Sequence, residues 1–88
     1  SMSKKITLKS GKKATLIEMS VDVFDECMDS IVYEQNGSDI VIKNQFSLST
    51  KWIRNGIEGA DDKFIKSLSM EERAELQLAI QDYNSLGE

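Results

Sequence analysis

From Lys4 to Met19 the chain alternates. Ile6 and Leu8 fall on one side of an extended backbone and Lys5, Thr7 and Lys9 on the other; apolar positions resume at Ala14 and Leu16. A period of two, broken by a glycine, predicts a β-hairpin. Its register follows from the faces. A three-residue loop, Ser10 to Lys12, sets Leu8 opposite Ala14 and Ile6 opposite Leu16, which gives one apolar face. A two-residue loop would oppose Leu8 to Lys13 and split that face. Gly11 supplies the positive φ that the turn demands. The stretch "KSGKKAT" also contains the glycine, lysine and hydroxyl of a phosphate-binding loop. Such a loop needs a second glycine five residues before the Gly-Lys pair and a helix after it, and here Ile6 and a strand stand in those places. The glycine is mechanical.

The period changes in "SVDVFDECMDSIVYE", residues 20–34. Ser20 is a candidate N-cap with Asp22 in the first turn. Val21, Phe24, Cys27, Met28, Ile31 and Val32 gather on one helical face, and Asp22, Asp25, Glu26 and Asp29 on the other. Beyond Ser30 two continuations compete. Either the helix ends near Glu34 with Gly37 in its exit turn, or Asn36-Gly37 closes a second hairpin over 31–42. The first is preferred.

Residues 47–57 predict a short helix with Leu48, Trp52 and Ile53 on a shared face and Gly56 as its stop. "EGADD" at 58–62 reads as a loop, and 62–67 as a further helical turn with Phe64, Ile65 and Leu68 inward. Ser69-Met70-Glu71-Glu72 is a capping box opening a helix to about Asn84, with Gly87 just beyond. Leu76, Ala79, Ile80 and Tyr83 form one stripe of that helix; Met70, Ala74 and Leu78 lie near the opposite side. The second strip has no evident partner within so small a core, so it is a candidate surface for a partner or a second copy. The expected fold is α+β: an N-terminal β-hairpin packed on three to four helices, mostly helical.

Composition narrows the function. At 88 residues the chain is read as a single domain, with Ser1-Met2 as a cloning scar ahead of a natural start at Met2. The formal charge of −4 disfavours general nucleic-acid binding, and the lysines at 4, 5, 9, 12 and 13 read as the solvated edge of the hairpin. No apolar run approaches the roughly 20 residues of a membrane span, so a cytoplasmic protein without membrane contact is expected. There is no histidine and one cysteine, Cys27. Metal sites therefore lack their usual ligands, and "DECMD" at 25–29 lacks the spacing of a calcium loop. Cys27 lies two turns into a helix on its apolar face beside acidic residues, an environment that disfavours a thiolate and suits a packed core thiol. Glu71 and Glu72 are accounted for by the capping box. Nothing here points to an enzyme or a cofactor. Trp52 is read either as core or as an interface anchor, and joins Met70, Ala74 and Leu78 as a candidate partner-binding residue.

Three stretches in order, "LKSGKKATLIEM", "STKWIRNGIEG" and "FIKSLSMEERAELQLAIQDYNSLGE", resemble the tail assembly chaperones of long-tailed bacteriophages. The resemblance covers most of the chain, least in 35–46. It implies a non-enzymatic protein of the host cytoplasm, absent from the mature virion. Such a protein binds the helical tape measure protein and keeps it soluble until tube subunits polymerise. It also implies a gene placed beside that of the tape measure protein, and in many phages a frameshifted longer form. An acidic module with uncovered apolar strips suits that task, and self-association would multiply weak contacts along a long client. The competing expectations are a small acidic regulator, an inhibitor or DNA mimic using the acids at 22, 25, 26 and 29, or a structural head–tail connector.

Overall fold

The computed structural model describes residues 2–85. Two strands, β1 (Ser3–Thr7) and β2 (Lys13–Ile17), form the N-terminal hairpin; α1 (Val21–Asp29) follows. A second hairpin, β3 (Tyr33–Asn36) and β4 (Asp39–Ile42), precedes α2 (Gln45–Gly56), α3 (Asp62–Lys66) and α4 (Met70–Ser85). The fold is α+β, with about half the chain helical. Gly87, expected just past the last helix, lies outside the described residues.

The first hairpin keeps its predicted faces but not its predicted register. Ile6 pairs with Ala14 and Lys4 with Leu16, rather than Leu8 with Ala14 and Ile6 with Leu16. The loop has three residues, Lys9 to Gly11. The Leu8 N–H donates to the Lys12 carbonyl and the Gly11 N–H to the Leu8 carbonyl, both at 2.8 Å. In three-residue loops the left-handed residue comes last, so Gly11, at φ +96°, must end the loop and cannot occupy its middle. A shift of two residues leaves every side chain on its own face. Leu8 and Leu16 are accordingly buried.

Helix α1 starts as expected, with the Ser20 hydroxyl accepting from the Val23 N–H at 3.2 Å. It stops at Asp29, where the Ser30 hydroxyl donates to the Glu26 carbonyl. The preferred extension to Glu34 is therefore corrected: residues 33–42 are a hairpin. Ile31, Val32 and Tyr33 are β-branched or aromatic and fit a strand better than a helix. Gly37 takes φ +65° and Ser38 a negative φ, the pattern of a II′ turn with glycine first rather than the I′ turn expected of Asn-Gly. Val21, Met28 and Val32, expected on the buried face of α1, are exposed, while Cys27 is sealed inside.

The core forms where α2 crosses α4. Leu48, Trp52 and Ile53 of α2 meet Leu76 and Ile80 of α4, and the first hairpin covers them through Leu8 and Leu16. Phe24 of α1 meets the Trp52 ring edge-on, with centroids 5.3 Å apart and planes at 76°. Gly56 is the last residue of α2, as expected of a stop, but without a positive φ; it is also a contact point. A Cβ there would lie 2.3 Å from Cγ2 of Ile80, so only glycine lets the two helices approach this closely. The chain leaves α2 through an isolated β-bridge between Ile57 and Leu16. Ile65 of α3 then closes the base of the core.

The capping box of α4 forms as predicted: Ser69 N–H donates to Glu72 Oε1 at 2.7 Å, and Glu72 N–H to Ser69 Oγ at 3.1 Å. It also does more than predicted. The first hairpin's loop docks on it, with the Ser10 hydroxyl donating to the other oxygen of Glu72 and Lys12 Nζ reaching the Ser67 carbonyl at 3.0 Å. The Ser10 hydrogen bond is the largest influence holding the Glu72 carboxyl below the usual glutamate range; the Ser69 N–H and Lys12 assist, and burial opposes. A lowered folded-state pKa adds stability above the ordinary glutamate value, about 4.3, and that stability is lost as pH falls through the lowered value. Asp62, held low by its hydrogen bond and ion pair with Arg54, acts in the same direction. Glu72→Gln is therefore expected to flatten part of the acid limb of stability against pH without abolishing it. Urea midpoints from about pH 3 to pH 7 would measure this, and an unchanged slope would refute the coupling.

Candidate interaction surface

Two exposed apolar surfaces stand apart from the core. The first lies along α4. With Leu76 and Ile80 pointing inward, a rotation of half a turn brings Met70, Ala74 and Leu78 to the outside, as the helical period requires. All three are exposed, Met70 at 58% and Leu78 at 63%. The N-terminal turn of α2 runs alongside and contributes Phe46, 62% exposed, so that Phe46, Met70, Ala74 and Leu78 edge one groove between the two helices. Its floor is polar and fixed. Arg73 donates to Ser49 Oγ at 2.9 Å and to the Phe46 carbonyl at 3.3 Å. The Ser49 hydroxyl donates to that same carbonyl at 2.9 Å. Glu71 and Asp82, both exposed, flank the strip on its solvent side by helical spacing.

The part of the groove beside Phe46 and Met70 encloses about 180 Å³, and the adjoining part beside Leu78 about 240 Å³. A larger depression of about 460 Å³ lies against the first hairpin, between Ile6, Ala14 and Phe64. Its charged rim, Lys5, Lys13 and Glu58, is exposed, and no buried polar side chain is aimed into it. The first groove is the better-built contact surface.

Of the four residues singled out in the sequence, the structure brings Met70, Ala74 and Leu78 together on that groove. It separates Trp52, which is fully buried. As folded, Trp52 is core and has no surface to offer a partner, which corrects its candidacy as an interface anchor. Phe46 was missed because the helix begins at Gln45, two residues before the predicted start; with that start the Phe46 side chain falls on the groove side. Cys27 is fully buried, and burial pushes its thiol up against the opposing pull of Lys51, in line with a packed thiol.

The second surface is the β3–β4 hairpin. Every residue of both strands is exposed. Tyr33, Ile40 and Ile42 share one face in register, and no helix among the described residues covers it. Among the described residues, no group of three or more His, Cys, Asp or Glu side chains could hold a metal, and no helix is long and apolar enough to cross a membrane. Compared with protein-family profiles, with curated proteins and with solved structures, the chain matches none.

Proposed function

We propose that the protein is a non-enzymatic binding module that docks an amphipathic helix of a longer client in the α2–α4 groove, and that it serves as a phage tail assembly chaperone whose client is the tape measure protein. The observation that carries the docking site is the groove itself: an exposed row of Phe46, Met70, Ala74 and Leu78 over a floor in which Arg73 is tied to Ser49 and the Phe46 carbonyl. The resemblance to tail assembly chaperones supports the identity of the client. Apolar residues spaced i, i+4 and i+8 along α4 match the ridge of a second helix lying beside it. The acidic flank of Glu71 and Asp82, on a chain of net charge −4, favours a client helix with basic residues beside its apolar stripe. Covering that stripe would keep the client from aggregating, which is what a chaperone must do before assembly. The role places the protein in the host cytoplasm and outside the finished virion.

Co-expression tests it. The tape measure protein encoded beside this chain should become more soluble when both are made together, and its soluble fraction should fall back with Leu78→Glu. Leu78 is more than half exposed, so the variant is expected to melt within a few degrees of wild type. A client whose solubility is unaffected at any expression ratio would refute the proposal. A Leu78→Glu chain that unfolds would show instead that the strip belongs to the core.

A further inference from the structure

The second hairpin poses a physical problem. An isolated two-stranded hairpin is marginal in water, and three or more strands or a packed helix are needed for independent stability. Among the described residues β3 and β4 pair only with each other, and all eight of their residues are exposed. Yet the root is firmly tied. Asn44 accepts the Val32 N–H at 2.9 Å and donates to the Ser30 carbonyl at 2.8 Å, and the Lys43 N–H closes onto the Val32 carbonyl at 2.7 Å. Asn44 stands at the N-cap of α2 but makes no side-chain cap bond there; its amide is committed to the hairpin. The hairpin is thus held out from the body, not left loose.

Its outer edge is open and unprotected. Because the Lys43 N–H points toward β3, the alternation of an antiparallel ladder turns the N–H and C=O groups of Ile40 and Ile42 outward. β4 carries Ile-Val-Ile without a proline, and the lysine at this edge, Lys43, stands just past the strand's end. The sequence along this edge is Asp39-Ile40-Val41-Ile42-Lys43, which is charge-complementary to itself when reversed about Val41. Neither Asp39 nor Lys43 has an ion-pair partner among the described residues.

We propose that β4 is a self-association edge: two copies of this chain pair β4 against β4, antiparallel about Val41, into one four-stranded sheet. The register is set by the backbone. Outward-facing groups must meet outward-facing groups, so Ile40 pairs with Ile42 of the second copy through a hydrogen-bonded pair, and Ile42 with its Ile40. The same register puts Asp39 opposite Lys43 of the second copy at both ends of the seam and Val41 opposite Val41 at its centre. A shift by one residue would oppose outward to inward groups and break every bond; a shift by two would leave the charges unpaired. The shape is extended. A compact monomer of 9.9 kDa exposes about 5,200 Å², whereas this chain exposes 6133 Å², in keeping with a hairpin that stands out from the body. The radius of gyration, 13.5 Å, likewise exceeds the about 12 Å expected for a compact chain of this length.

Sedimentation equilibrium of the chain alone over a concentration series tests this with no client present, so its failure is separable from failure of the client proposal. Wild type should dimerise. Lys43→Asp puts like charges at both ends of the seam and should weaken dimerisation at least about tenfold, as should Asp39→Lys. Mixing these two variants restores Asp–Lys pairing at both ends in the heterodimer alone, so the mixture should associate where each variant by itself does not. Ile40→Pro removes only an outward donor, is compatible with an edge position, and should leave a folded monomer. A wild type that is monomeric throughout, which would leave β4 to another protein, overturns the proposal. So does an oligomer indifferent to charge reversal, or a mixture that fails to associate.

Discussion

Replacing Trp52 with alanine is expected to cost about 3–5 kcal/mol, the range for emptying a core aromatic site, out of the about 5–15 kcal/mol that hold a small domain together. Trp52 is fully buried where α2 crosses α4, and it carries the edge-on contact with Phe24 that fastens α1. The cavity would open among fully buried side chains, Ile53, Leu76 and Ile80, which have little room to collapse into it. At about 4–8 °C per kcal/mol for a domain of this size, the melting midpoint should fall by more than about 12 °C, and α1 should lose protection first. Trp52→Phe should cost much less. It keeps a ring opposite Phe24 and removes an indole N–H that has no acceptor among the described residues, a buried donor that itself costs energy. Thermal melts of the three proteins decide the matter. An alanine variant that melts like wild type would mean that Trp52 is not the keystone of this core.

Leu8→Lys is the second large effect. Leu8 closes the end of the first hairpin and is 3% exposed. Losing the leucine alone should cost about 2–5 kcal/mol, and burying an ammonium without a partner adds to that. Lys12, directly opposite across the loop, would add like-charge repulsion. Leu8→Met is the control, expected to lose little. A Leu8→Lys midpoint equal to wild type would contradict the packing of the hairpin on α2 and α4.

The parts legible in the sequence were those governed by local rules. Ser20 and the Ser69–Glu72 box mark their helix starts because the capping side chain and its target are three residues apart. The faces of the first hairpin followed from alternation, and Leu48, Trp52 and Ile53 from helical spacing. Met70, Ala74 and Leu78 were visible as a second strip for the same reason. What was misread depended on partners distant in sequence or on small differences between conformations. Gly56 does close α2, but its contact with Ile80, twenty-four positions on, leaves no local signal. Residues 31–36 could extend α1 or start a strand; apolar side chains suit either, and the β-branched pair Ile31-Val32 with the turn at Gly37 tips the balance. The docking of Ser10 and Lys12 on Glu72 spans some sixty residues and leaves no local trace. Phe46 joined the groove only because α2 starts early.

The claim at the centre is that a client helix covers the α2–α4 groove. Hydroxyl-radical footprinting of the chain, alone and bound to the tape measure protein, reads it directly, because exposed methionines lie both on that surface and away from it. Met70, together with Phe46 and Leu78, should lose reactivity on binding, while Met28 on α1 and Met2 at the first hairpin should react as before. Protection of Met28 or Met2 with Met70 still reactive, or no complex to footprint, would contradict the groove as the binding surface.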